Sequence, residues 1–209
     1  MVSGVSIHYG GHVACRDVGF EVGCGERVAL IGGNGTGKSS ILKLIEGKDL
    51  DFCGELHRAS GLSLSCVPQD TSCLRGRLSD YARREGLDES LVRALLEKMD
   101  LVREKLDVDM SELSQGQKKK VLIAVSLSRS AHLYIWDEPL NFVDVFSRIQ
   151  IEELLLTFKP ALLFVEHDRA FVGRIATKVI TMQPPAPKSF EKKSFERTSF
   201  GDSSRHEAP

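Results

Sequence analysis

A chain of 209 residues, 42% hydrophobic and 27% charged, suits one well-buried α/β domain with room for a small subdomain. A formal net charge of −1 excludes nucleic-acid binding driven by overall charge and leaves only local basic clusters. No apolar run reaches the ~18 residues of a membrane span, and residues 1–20 lack the basic-then-apolar layout of a signal peptide.

The first clear element is an apolar strand over Arg27–Ile31. Gly32-Gly33-Asn34-Gly35-Thr36-Gly37-Lys38-Ser39 follows it and fits G-x-x-x-x-G-K-S/T. Between a strand and a helix, such a loop wraps phosphates with backbone N–H groups, and the helix N-terminus adds partial positive charge. Lys38 is expected to reach the β- and γ-phosphates, and the Ser39 hydroxyl to ligate Mg²⁺. The next helix spans Lys38 to Glu46, with Ile41, Leu42 and Ile45 on one face and Gly47 as its C-terminal cap. Residues 71–112 are charged and helical in pattern, and read as an inserted helical subdomain. Within them Leu91, Leu95 and Met99 recur at helical spacing beside Val92 and Leu96, behind Asp88 as N-cap.

Ser114 and Gln117 form an S-x-x-Q capping box for a helix through Val121, Leu122 and Val125. Such a helix start also attracts anions. Lys118–Lys120 reads as a solvated helix face or, with RNA as partner, as a phosphate contact. An apolar strand over Leu133–Trp136 ends in Asp137 and Glu138. Asp137, read as coming from a strand adjacent to the loop, would ligate Mg²⁺; Glu138 would polarise the attacking water. Asp144 is placed to cap a helix running to Phe158, and Leu162–Val165 reads as a third buried strand. Alternating strands and helices imply a covered, mostly parallel sheet with ligands beyond the strands' carboxyl ends. From Gln183 onward, prolines and a repeated Ser-Phe-Glu pattern read as a disordered tail. Cys15, Cys24, Cys53, Cys66 and Cys73 are odd in number and lack C-x-x-C spacing, so they read as free thiols of a cytosolic chain.

Leu113-Ser114-Gln115-Gly116-Gln117 resembles the signature motif of ATP-binding cassette (ABC) ATPases, and Glu138 falls at their catalytic glutamate. The resemblance covers residues 1–182 and implies an ABC-type P-loop fold: a mostly parallel central sheet, a small antiparallel β part and an inserted helical subdomain. It implies ATP and Mg²⁺ as ligands, ATP hydrolysis as activity, and further roles in family order. Tyr9 resembles the aromatic that stacks on adenine; Ser40 joins the loop's nucleotide contacts; Gln69 resembles the glutamine that senses Mg²⁺ and water. Asn141 to Asp144 resembles the D-loop, and His167 the switch histidine at the γ-phosphate. It also implies that Leu113–Gln117 serves the nucleotide of a second ABC domain, in a homodimer, with another chain, or with the missing half of a tandem protein.

Tyr134–Phe142, Gln150–Leu154 and Phe164–Phe171 are similar to the second ATPase domain of ABC-F proteins protecting ribosomes from lincosamides, streptogramin A and pleuromutilins. A Gln at 115 where transporters usually carry a Gly, the lysine run that follows the motif, and the short stretch between Gln69 and Leu113 agree with that class. The alternative is the ATP-binding subunit of an ABC membrane transporter. ABC-F proteins carry two ATPase domains and a long helical linker, so the chain is expected to be a fragment, a truncated frame or a product of a split gene.

Overall fold

The computed structural model describes residues 1–101 and 103–184. The expected tail lies, from residue 185, outside the described residues. The chain runs β1 (Val2–Tyr9), β2 (His12–Phe20), β3 (Arg27–Ile31), α1 (Lys38–Glu46), β4 (Asp51–Leu56) and β5 (Leu64–Val67). It continues through α2 (Leu78–Arg84), α3 (Glu89–Lys98), α4 (Gln115–Ser128), β6 (Leu133–Asp137), α5 (Val145–Phe158), β7 (Leu162–Val165), α6 (Arg169–Ile175) and β8 (Lys178–Thr181).

Two sheets form. One is antiparallel, ordered β2-β1-β4; the other is parallel throughout, ordered β5-β6-β7-β3-β8. Side chains alternate across the parallel sheet, as the two-residue repeat of a strand requires. Ala29, Trp136 and Phe164 enter one core with α3, α4 and α5. Val28, Leu30, Ile135, Leu163 and Val165 enter a second core with α1 and the antiparallel sheet. Covered on both faces, the three inner strands β6, β7 and β3 carry near-continuous apolar runs. The fold is thus the α/β arrangement with a small antiparallel part that the sequence led us to expect.

Helix boundaries follow their caps. Asp88 accepts from the N–H groups of Ser90 and Leu91, and Asp144 from that of Ser147. Gly47 closes α1 in the left-handed conformation, at φ 93. In α3 the buried face is Val92, Leu95 and Leu96, continued by Met99, whereas Leu91 is exposed. The stripe therefore starts one residue later than the i, i+4, i+8 reading.

Two of the three lysines, Lys119 and Lys120, are neither a solvated face nor a phosphate contact. Lys119 and Lys120 are only 2% and 6% exposed, because α4 is enclosed on most sides. Their ammonium groups find partners inside: Lys119 at the carbonyl of Pro68, and Lys120 at the Asp144 carboxylate. Lys118 alone is half-exposed.

Candidate ATP site

All five strands of the parallel sheet point the same way, so the segments after β3, β5, β6 and β7 meet at one edge. Gly32–Ser39 leaves β3, Gln69 follows β5, Asp137 and Glu138 end β6, and His167 follows β7. Four distant stretches of sequence are thereby brought together.

The glycine-rich loop packs tightly. Gly37 sits at φ 84, and a Cβ there would meet the Ala14 carbonyl at 2.7 Å and Cys15 at 2.8 Å. Only glycine tolerates both the left-handed backbone and that approach to β2. The Lys38 ammonium donates to the carbonyls of Gly32 and Gly33, each at 2.9 Å, and the Thr36 hydroxyl also donates to Gly33 at 2.9 Å. Asn34 and Gly35 are exposed at the loop's crest, Gly35 with φ 78. Tyr9, at the end of β1, donates its hydroxyl to Ser40 of α1 at 3.2 Å, which holds a half-exposed aromatic ring beside the loop.

Asp137 does not come from the strand adjacent to the loop, since β7 lies between β6 and β3. It still reaches the Ser39 hydroxyl. Burial raises the Asp137 carboxyl above its ordinary range, which the Ser39 bond opposes. Among the described residues, Asp137 Oδ1 is buried and has no hydrogen-bond partner. An orphaned buried carboxylate oxygen beside a hydroxyl is a donor set that a hard divalent cation satisfies. The residues present therefore fit Mg²⁺.

Glu138 is the point of convergence. Its backbone is left-handed, at φ 48, and its N–H is tied to Val165 of β7 at 3.0 Å. Gln69 Nε2 donates to Oε2 at 2.8 Å and Asn141 Nδ2 to the same oxygen at 2.7 Å. His167 Nε2 lies 3.3 Å from Oε1. A neighbour that sequence reasoning did not assign stands behind this set. Glu166, buried, accepts from the N–H of His167 at 2.8 Å and of Leu140 at 3.2 Å, joining the histidine loop to the segment before Asn141.

Leu113 is buried, and the segment Ser114–Gln117 starts α4 with both halves of the capping box: Gln117 N–H to Ser114 Oγ at 3.3 Å, and Ser114 N–H to Gln117 Oε1 at 3.0 Å. The structure does not bring this segment to the loop at Lys38; it sets it against residues 71 and 142. Gln115 Oε1 accepts from the Thr71 hydroxyl at 2.8 Å. Gly116 lies so close to the Phe142 carbonyl that a Cβ could not be fitted without displacing that backbone. Phe142 is 78% exposed, and Val145, Phe146 and Ile149 extend an apolar surface along α5.

Asp144 anchors this corner. Burial pushes its carboxyl upward, but the Lys120 ammonium at 2.8 Å and the N–H and hydroxyl of Ser147 together hold it well below the usual carboxylate range. A folded-state value below the unfolded one gives stability that is present above ~pH 4 and lost as pH falls further. Thermal melts from pH 6 to pH 3 are expected to show the gap between the parent chain and Asp144→Asn closing on acidification. A gap independent of pH would contradict this.

A family model described as "ABC transporter" matches residues 15–141, more than half of the chain. The ATP-binding protein Uup of Caulobacter vibrioides is 29% identical over 188 residues, covering 86% of this chain and 31% of that protein. ABC transporter F family member 2 of Arabidopsis thaliana is 30% identical over 165 residues, covering 76% of this chain and 24% of that protein. The chain thus spans about a quarter to a third of these curated relatives. A solved structure titled "Structure of ATP binding subunit of ABC transporter" superposes with a TM-score of 0.70 at 26% identity, covering 87% of this chain and 85% of that one. With its glycine-rich loop, its acidic strand end and a family match through both, this chain belongs to the ABC family and is one of its ATPase domains.

Proposed function

We propose that this domain binds Mg-ATP on Gly32–Ser40 and hydrolyses it with Glu138, against a second ABC domain (a copy of this chain, another chain or the other half of a tandem protein) whose own signature segment completes the site. The observation that carries the reading is the convergence of Gln69, Asn141 and His167 on the Glu138 carboxylate. The loop N–H groups and Lys38 hold the β- and γ-phosphates. Tyr9 offers its ring face to adenine. Ser39 and Asp137, with Gln69, would hold Mg²⁺, which when bound offsets phosphate charge. Glu138 takes the proton of the attacking water. Gln69 and Asn141 fix the orientation of that carboxylate, and His167, 3.3 Å from its other oxygen, is assigned to the terminal phosphate.

We assign residues 1–182 to the ABC domain and residues 71–112 to its helical insert. Ser114, Gly116 and Gln117 act on the partner's nucleotide, at an anion-seeking helix start. For the larger role we propose an ABC-F protein that acts on the ribosome, in translation or antibiotic resistance. The relatives named Uup and ABC transporter F family member support the class. So does the short insert, whose helices in the described residues are α2, α3 and two 3-10 turns. The buried lysines take no part in this argument. A transporter ATP-binding subunit is the second reading, favoured by the structural neighbour of that title.

Sedimentation of Glu138→Gln with ribosomes, with and without ATP, separates the two. ATP-dependent co-sedimentation is expected. Dimerisation with ATP, seen by light scattering, without ribosome binding would favour the transporter reading.

A further inference from the structure

Lys119 was read from the sequence as one of three surface charges. It sits instead one turn inside α4, 2% exposed, among the apolar side chains that join α4 to the parallel sheet. An ammonium is costly there unless it is fully engaged. Its Nζ donates to the Pro68 carbonyl at 2.9 Å and lies 3.5 Å from the carbonyl of Asp137.

Those two carbonyls belong to neighbouring strand ends. β5 and β6 pair in parallel up to Val67 and Trp136. Pro68 and Asp137 would be the next pair. The next bond of the ladder would run from the Gln69 N–H to the Asp137 carbonyl, and it is not formed. The Lys119 ammonium takes over where the ladder ends and ties both strands together from the side. The residues immediately beyond this tie are Gln69 and Glu138, whose side chains meet at 2.8 Å.

We propose that Lys119 is a positioning residue of the ATP site, which sets the separation of Gln69 and Glu138 by bracing Pro68 against Asp137. The inference rests on the reading of Glu138 as the group that polarises water. It adds a consequence for the signature segment. Ser114–Gln117 begins the same helix, so a ligand that shifts the start of α4 also moves the brace.

The test uses the full chain. Lys119→Met keeps the length and apolar stem and removes the donors; Lys119→Gln keeps an N–H donor. In Lys119→Met, kcat for ATP hydrolysis is expected to fall about tenfold or more. KM for ATP and affinity for a fluorescent ATP analogue should stay within about threefold. Lys119→Gln should recover part of kcat. Amide hydrogen exchange supplies a readout that does not depend on turnover. Peptides spanning 68–73 and 137–143 are expected to exchange about tenfold faster in Lys119→Met, with α1 and β3 unchanged. Unchanged kcat and unchanged exchange at both segments would overturn the proposal. So would a uniform rise in exchange with kcat and affinity lost together, which marks a purely structural role. Lys38→Ala separates failure of the underlying reading: if that variant binds the ATP analogue as the parent does, the assignment of the site is wrong, whatever Lys119 shows.

Discussion

Glu138→Gln is expected to lower the rate of ATP hydrolysis by roughly 10²–10⁴-fold while leaving ATP affinity nearly unchanged. The geometry explains why this variant isolates chemistry from structure. Two donors, Gln69 and Asn141, aim at Oε2, and among the described residues only His167 is bonded to Oε1. A glutamine can place its carbonyl oxygen where Oε2 lies and keep both bonds. Its amide nitrogen then faces His167 Nε2, which accepts in the neutral tautomer that carries the proton on Nδ1. Nothing around the side chain is orphaned. What disappears is the ability to take a proton from water. Phosphate release under saturating ATP and the nucleotide retained through gel filtration are the paired measurements. Hydrolysis at the parent rate would mean that another group polarises the water.

The largest expected effect on stability is at Trp136, the sole tryptophan of the chain. Its side chain is fully buried, in register with Val67 on one side and Phe164 on the other. Its indole N–H donates to Ser126 Oγ at 3.0 Å, and that hydroxyl pairs with Ser65 Oγ at 2.9 Å. Trp136→Ala removes an indole from a close-packed core and leaves a cavity between α4 and the sheet. The expected cost is ~3–5 kcal/mol, a large share of the ~5–15 kcal/mol that holds a domain of this kind. Trp136→Phe keeps most of the volume, and Ser126 keeps Ser65, so about 1–2 kcal/mol is expected there. Urea unfolding followed by far-UV circular dichroism measures both. Equal losses in the two variants would show that the hydrogen bond, not the volume, carries the effect.

How much could be read in advance depended on how local the constraint was. The phosphate loop was legible because its glycines are needed by the chain itself: Gly37 must be left-handed and must pass close to Ala14. Arg27–Ile31, Leu133–Trp136 and Leu162–Val165 were legible because strands covered on both faces are apolar throughout. β1, β2 and β4 carried no such signal. Register shifts break the alternation of β1 against both neighbours, and β4 is mostly exposed. The lysine run misled because three consecutive charges say nothing about the oxygen atoms packed against them in the fold. Lys119 and Lys120 are buried for reasons held in Pro68, Asp137 and Asp144, all far from them in sequence. The role of Glu166 was hidden in part on the same ground, since one of its two partners is the N–H of Leu140, 26 residues away.

The contact between Gly116 and the Phe142 carbonyl bears on how two-site enzymes of this design are dissected. Mixed pairs, one member damaged at its own catalytic group and the other in the segment it lends to its neighbour, are meant to leave one intact site. Position 116 is unsuited to that purpose. A methyl there pushes on Phe142, and Asn141, the next residue back, is one of the two donors that hold Glu138. On the proposed reading, damage intended for the neighbour's nucleotide would return through the backbone to the chain's own site. Ser114, whose hydroxyl accepts from the Gln117 N–H in the capping box, is the better position for keeping the two lesions separate.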